Sequence, residues 1–363
     1  MSWEDFRVQK RLNLKTSVIE KVYAVIAEID SARTSWRLTA KILPFTLSRL
    51  TTSVIVTSSG SSNRIEGNTL TDAEIEALYA NMRIKKWKTR DEQEVAGYLQ
   101  TLERVFQSYK DIPLRESSLL QIHQDMLIHC DKDQSHRGQY KVGSNRVEMK
   151  DHAGKIIGVV FDPTPPYLVK KEIQELVDWY NWAIETKAKH PLIILANFIF
   201  EYLAIHPFQD GNGRTSRLLT NLMLLQNGYS FTSLVSHERI IENRKAEYYL
   251  ALNQTQKTWK TAEEDITPWL LFFLGVMQTQ SQQAMALLEG DTIDHLLSEK
   301  QMALWQWAQH LKRPFSRSDA VTALDFPART VESIIKKLVD LKRLERIGEG
   351  RATRYRPLNP HSS

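Results

Sequence analysis

Residues 201–217 read EYLAIHPFQDGNGRTSR. The segment leading into them, LIILANFIFEYLAI (192–205), is apolar on most faces, which predicts a helix running through the core. Pro207 cannot continue that helix and disfavours the helical conformation at His206, so the histidine sits where the chain leaves the core. Gly211 and Gly213 flank Asn212 and admit positive φ, letting successive backbone N–H groups curl around an anion. RTSRLLTNLMLLQ (214–226) then reads as a helix whose N-terminus faces this loop, with roughly half a positive charge and unpaired N–H donors. Arg214 and Arg217 lie three apart, on nearly the same face. Cations at a helix N-terminus oppose its dipole, so something negative belongs there, and the reading is a phosphate site. Asp210 is the one acid within this stretch of positive groups. An isolated carboxylate would repel phosphate, whereas one holding Mg²⁺ helps to bind it. His206 beside such a site suits a general base near neutral pH.

Outside this stretch the periodicity is helical nearly throughout. Apolar residues recur at three- and four-residue spacing over 17–31, 71–82, 90–110, 115–129, 168–186, 190–205, 214–226, 242–257, 265–287 and 297–311. TDAE (71–74) is a capping-box pattern with Thr71 as N-cap and Glu74 reaching back, and Asn227-Gly228 is a C-terminal stop. The Ser/Thr cluster at 51–62 leads into SSNRIEGNTL (61–70), which propensity alone reads as a loop. Were it helical, Gly67 would cap it and Glu66 would lie in the last turn, where negative charge is disfavoured by about 0.3–1 kcal/mol. Glu66 would then need a cation, and Arg64 is one candidate. YKVGSNRVEMKDHAGKIIGVVFDPTPPY (140–167) breaks the helical pattern and reads as an irregular β-hairpin with an extended exit.

With 363 residues, 42% apolar and 25% charged, the composition is that of a globular protein with one large domain, or a large one and a small one. MSWEDFRVQKRLN at the start has no apolar core of a signal peptide, and PWLLFFLGVM (268–277) is too short to span a bilayer. Cys130 is the only cysteine, which excludes an internal disulfide and fits a reducing cytoplasm. The net charge of +5 is unevenly placed: residues 312–356 hold twelve Lys/Arg against six Asp/Glu. That region reads as a short helix near 316–324, a turn, a helix at 328–343 and a hairpin turning at 348–350, the order of a winged helix-turn-helix. Arg329, Lys336 and Lys337 on its second helix, with Arg351 and Arg354 on the wing, suit phosphate contacts with DNA. A docking domain whose basic face is merely solvated is the alternative.

The motif resembles the signature of the Fic family, H-x-F-x-D/E-G-N-G-R-x-x-R, and every specified position is matched over 206–217. NRKAEYYLAL (243–252), the hairpin and the helical surroundings are also similar, over roughly residues 1–290. The resemblance implies a mainly α fold: an N-terminal helical region (1–110), a Fic core (111–290) with a flap at about 140–167, and a winged helix-turn-helix (297–363). It implies transfer of AMP from ATP onto a Tyr, Ser or Thr hydroxyl of a target protein, with loss of pyrophosphate. His206 would deprotonate the hydroxyl, Phe208 anchor the loop and Asp210 hold Mg²⁺. Gly211, Asn212, Gly213, Arg214 and Arg217 would bind phosphates, and Tyr248 and Tyr249 would line the adenine pocket. The flap, with Val160 and Phe161, would pair with an extended target segment. Ser62, Glu66 and Gly67 resemble the family's inhibitory motif, in which Glu66 would take Arg217 and misalign ATP. Removal of AMP with help from Glu66, and a DNA-binding regulator with a nucleotide-sensing Fic domain, are the competing readings. A homodimer is also implied by the family.

Overall fold

The computed structural model describes residues 3–39, 44–82, 87–145, 147–150, 156–294, 299–311, 313–340, 344–348, 350 and 353–358. The chain is mainly helical and divides into two compact units, Met1–Met285 and Ala286–Ser363. In the first lie α1 (Arg7–Lys10), α2 (Thr16–Thr39), α3 (Pro44–Ile65), α4 (Asp72–Ala80), α5 (Arg90–Ser108) and α6 (Glu116–Met126). The strands β1 (Val147–Lys150) and β2 (Ile156–Phe161) come next. They are followed by α7 (Pro166–Glu185), α8 (Pro191–Ile205), α9 (Asn212–Gln226), α10 (His237–Asn243), α11 (Lys245–Gln256) and α12 (Thr267–Asp294), whose last turns pass into the second unit.

The first unit is built around α8. Every residue from Leu192 to Ile205 is buried, including the polar Asn197 and Glu201. α7 and α9 flank it, while α5 packs against α3, α6 and α9. Glu201 shows what makes such burial tolerable: a buried carboxylate needs both charge pairing and hydrogen bonds. Arg11, just past α1, donates to Glu201 at 2.5 Å and to Asn197 Oδ1 at 2.6 Å, Arg7 pairs with the other Glu201 oxygen, and Trp259 Nε1 donates at 3.1 Å. Burial alone would raise this carboxyl, but Arg11 and Arg7 hold it at about 2. The N-terminal segment is therefore clamped onto the core helix by charge.

Several boundaries follow the sequence reading. Thr71 and Glu74 form a reciprocal capping box at α4, and Asn227 caps α9 ahead of Gly228 at φ 83°. Two readings need correction. The helix expected over 242–257 is two helices, because Arg244 (φ −116°, ψ 30°) breaks the run between α10 and α11. The loop expected over 61–70 is, up to Ile65, the end of α3. Propensity misleads there because side chains that favour loops can also bond back to their own helix: Ser59 Oγ donates to the Ile55 carbonyl and Asn63 Nδ2 to that of Ser59. Ser58, Ser59, Ser61 and Ser62 are all fully buried. The helix then closes in a Schellman arrangement, with Asn68 N–H on the Asn63 carbonyl, Gly67 N–H on that of Arg64, and Gly67 at φ 101°.

β1 and β2 pair antiparallel with two register irregularities, and residues 151–155 between them lie outside the described residues. The second unit holds α13 (Glu299–His310), α14 (Arg317–Leu324), α15 (Ala328–Asp340) and the antiparallel pair β3 (Leu344–Ile347) and β4 (Arg354–Pro357). Its own core gathers Leu304, Trp305, Phe315, Ile334, Leu338 and Leu344. Among the described residues no helix is long and apolar enough to cross a membrane.

The Glu201 cluster yields a stability test. Arg11→Ala leaves the buried carboxylate with one guanidinium fewer, and should lower unfolding free energy by about 3–5 kcal/mol in urea titrations. A change below about 1 kcal/mol would show that Arg7 and Trp259 suffice.

Candidate active site

The end of α8 places His206 at the mouth of the core. Its backbone N–H still donates to the Tyr202 carbonyl at 3.0 Å, but the residue itself is left-handed, φ 53° and ψ 61°. Pro207 was expected to end the helix here; the structure adds that the histidine takes a conformation few non-glycine residues adopt. The surroundings that hold it come largely from the segment before β1. Lys141 N–H donates to the Pro207 carbonyl (2.9 Å), Lys141 Nζ to the Ile205 carbonyl (3.3 Å) and Asn145 Nδ2 to that of Phe208 (2.7 Å). Burial lowers the Lys141 ammonium to about 8. Phe208 is fully buried and stacks on His123, ring centroids 3.7 Å apart and nearly parallel.

His206 Nδ1 lies 3.3 Å from the Leu203 carbonyl, which can only accept, so this contact puts the proton on Nδ1 and the lone pair on Nε2. Burial, offset in part by the Leu203 carbonyl, lowers the imidazole to about 4. The ring is thus neutral at neutral pH, the state a proton acceptor needs. His123 is arranged in the opposite tautomer: Nδ1 accepts from Gly138 N–H at 2.9 Å, leaving Nε2–H to donate to the Asp210 carbonyl at 3.0 Å. Asn212 closes the loop, its side chain bonding both the N–H and the carbonyl of Phe208.

Gly211 is the N-cap of α9 at φ 79°. Gly213, expected to supply a second left-handed turn, instead lies inside the helix, and its lack of a side chain matters for another reason. A Cβ there would come within 2.2 Å of Glu66 Oε1. Glu66 thus reaches over the start of α9 and accepts from Arg217 Nη2 at 2.7 Å. Arg217 also donates through Nε to Ser62 Oγ (2.8 Å) and through Nη2 to the Ser62 carbonyl (2.9 Å). Arg64 does not neutralise Glu66; it binds Glu242 at 2.6 Å and Asp72 at 2.9 Å.

Arg214 is fully buried and its guanidinium meets Asp210 (3.1 Å) and Glu94 of α5 (3.3 Å). Burial by itself would raise the Asp210 carboxyl; Arg214, the Gly211 N–H and Arg90 hold it below the usual aspartate range. Among the described residues, Arg214 Nε and Nη1 and Arg217 Nη1 are buried without a hydrogen-bond partner. Buried guanidinium N–H donors left without a hydrogen bond around a helix N-terminus are what a polyphosphate would satisfy. One carboxylate beside them fits Mg²⁺ carried on phosphates, which needs only one or two protein carboxylates. No cluster of three ligating side chains suited to a bare metal ion occurs among the described residues.

The remaining sequence candidates divide. Tyr248 is buried in a cleft that Arg217, Trp269 and Phe272 also line, while Tyr249 is exposed and its hydroxyl meets the Ile65 carbonyl at 3.4 Å. Phe161 is buried against Trp259, ring centroids 5.3 Å apart, which anchors the end of β2 to the body. Val160 follows on β2, but its side chain lies outside the described residues, as does Arg351. Arg329, Lys336, Lys337 and Arg354 are exposed within the second unit. Sequence reasoning missed Arg90, Glu94, His123 and Lys141, which lie 65 to 124 residues before Arg214 and His206 and carry no local signature.

His123 gives a pH test. Its folded value of about 4 lies below the unfolded 6.5, so the stability of its neutral form is present above pH 6.5 and lost as pH falls towards 4. That loss amounts to about 3 kcal/mol. Urea midpoints between pH 7 and 4 should decline less steeply for His123→Asn than for wild type; parallel curves would place the titration elsewhere.

Residues 113–224 match the family described as Fic/DOC. The "Protein adenylyltransferase fic-1" of Caenorhabditis briggsae is 31% identical over 193 residues, 52% of this chain and 34% of that protein. The "Protein adenylyltransferase Fic" of Nematostella vectensis is 28% identical over 214 residues, covering 58% and 44%. This chain therefore spans less than half of each of these curated relatives. In fold it is similar to a Fic family protein from Desulfovibrio desulfuricans G20, with TM-score 0.63, 24% identity and coverage of 97% of this chain and 98% of that one.

Proposed function

We propose that this chain, whose residues 113–224 form a Fic/DOC-family domain, is a protein adenylyltransferase that moves AMP from ATP to a hydroxyl of a target protein. The observation that carries the reading is the convergence, at one helix N-terminus, of a neutral histidine and two buried guanidinium groups that keep N–H donors without a hydrogen bond. His206 Nε2 accepts the hydroxyl proton while Nδ1–H stays on the Leu203 carbonyl. The hydroxyl oxygen attacks the α-phosphorus, and the bond to pyrophosphate breaks. Arg214 and Arg217 hold the outer phosphates as charge moves onto the leaving group. Gly211, Asn212 and Gly213 form the turn against which the phosphates lie, with the Gly211 N–H on Asp210 Oδ1 and those of Asn212 and Gly213 at the start of α9. Asp210 would hold Mg²⁺, which when bound neutralises phosphate charge. The cleft beside Tyr248 and Tyr249 receives the adenine, and the β1–β2 hairpin pairs with the target backbone.

Glu66 restrains this activity in cis. It takes Arg217 Nη2 at 2.7 Å, a donor that the γ-phosphate would otherwise use. ATP then seats with its α-phosphate misaligned. Because the Glu66 side chain is about a third exposed (36%), the pair is partly screened and can be displaced. The same exposure favours a second reading, removal of AMP, in which the carboxylate orients a water.

In the second unit, α14, α15 and the β3–β4 pair form a winged helix. A groove lined by Arg317, Lys336, Arg346 and Arg354 supports DNA binding there.

Labelling with ATP and Mg²⁺ tests the catalytic reading. Glu66→Gly should raise self-AMPylation by roughly ten- to a hundredfold, the equivalent of one charged hydrogen bond. His206→Ala should abolish it. A Glu66→Gly protein that labels nothing while wild type labels would sink the restraint. For the second unit, gel shifts at rising salt should show sequence-specific binding that weakens steeply, and Lys336→Ala should reduce the salt dependence by about one charge.

A further inference from the structure

Asp210 does not stand alone. Its Oδ2 lies 3.1 Å from Arg214 Nη2 and also 3.1 Å from Nη2 of Arg90, the first residue of α5. Arg90 Nε donates to Glu94 Oε1 at 2.8 Å, and Glu94 Oε2 lies 3.3 Å from Arg214 Nη1. The four side chains close a ring in which acids and bases alternate, with no net charge. The other Asp210 oxygen is taken by the Gly211 N–H at 2.6 Å. A divalent cation approaching Asp210 by itself thus meets two guanidinium groups already on the one oxygen that could turn to it. Their repulsion is strong at this range, and the half-buried setting screens it less than water would.

The members of the ring differ in freedom. Arg214 and Glu94 are largely buried, with side-chain exposures of 3% and 13%, whereas Arg90 is 47% exposed and reaches in from α5. Arg90 is the member that can leave without unpacking the core. A metal arriving on a polyphosphate changes the balance, because its phosphates offer both arginines a new acceptor and release Asp210.

We infer that Arg90 is a gating residue of the nucleotide site. It keeps Asp210 closed to a bare divalent cation and passes to the phosphates when the metal enters with the nucleotide. Metal and nucleotide therefore bind together, and α5 contributes a third phosphate-binding arginine that lies outside the 206–217 motif. This rests on the nucleotide-site reading above.

The test measures binding. Mn²⁺ titrated alone and followed by electron paramagnetic resonance should bind wild type weakly and Arg90→Gln about tenfold more tightly, the effect of removing one cation beside a partly exposed carboxylate. Arg90→Lys, which keeps the charge, should stay close to wild type. By calorimetry in Mg²⁺, Arg90→Gln should weaken ADP by about tenfold and leave adenosine, which has no phosphate, unchanged. Unaltered Mn²⁺ and ADP affinities in Arg90→Gln, with ADP bound normally by wild type, would overturn the gate and leave the nucleotide site standing. Failure of wild type to bind ADP at all would overturn the nucleotide-site reading and the gate with it.

Discussion

Arg217 is the residue on which the arrangement turns. Its guanidinium is buried at the start of α9, where a cation opposes the helix dipole and cannot be solvated. Such a group persists only if neighbours supply acceptors, and the end of α3 with the residue after it supplies three: the hydroxyl and carbonyl of Ser62 and the carboxylate of Glu66. Charged hydrogen bonds of this kind contribute about 1.5–3 kcal/mol each. The two contacts to Ser62 are fully buried, while that to Glu66 is partly screened. Glu66 is therefore the member of the set that an incoming anion can replace, and one Nη1 N–H is left over for it.

The same logic runs through the rest of the site. Buried charge is matched locally in closed sets: Arg7, Arg11 and Glu201 at the core, and Arg90, Asp210, Arg214 and Glu94 at the loop. The first set has no unpartnered guanidinium donor among the described residues and stabilises the fold. The second keeps unsatisfied donors at Arg214 and includes an exposed arm, Arg90. That difference separates a structural ion cluster from one suited to a ligand. His206 completes the contrast, since its left-handed backbone keeps one hydrogen bond to its own helix, at the Tyr202 carbonyl, while residues 141 and 145 hold the carbonyls of Pro207 and Phe208 that follow it.

Much of the fold was legible because helical periodicity and caps are local signals. The apolar run of α8, the Thr71–Glu74 capping box and the Asn227-Gly228 stop each depend on residues within one or two turns. The end of α3 was not legible, because its serines look like loop formers until Ser59 Oγ is seen returning to the Ile55 carbonyl and Ser62 is seen facing Arg217 of α9. Arg244 divided an apparently continuous helix without a glycine or proline to mark it. At the site, the 206–217 motif was readable as chemistry.

By itself, then, the sequence determined the mainly helical class, a break after Ile205, and an anion-seeking loop with His206, Asp210, Arg214 and Arg217 in fixed order. These depend on contacts between near neighbours, where backbone sterics and helix geometry leave few alternatives. Only the tertiary structure decided that Gly213 serves as clearance for Glu66, that Arg64 turns to Glu242 while Glu66 takes Arg217, and that Arg90 and Glu94 close a ring on Asp210. Those outcomes join residues up to 178 positions apart, and which opposite charges meet is settled by how α3, α5, α9 and α10 pack.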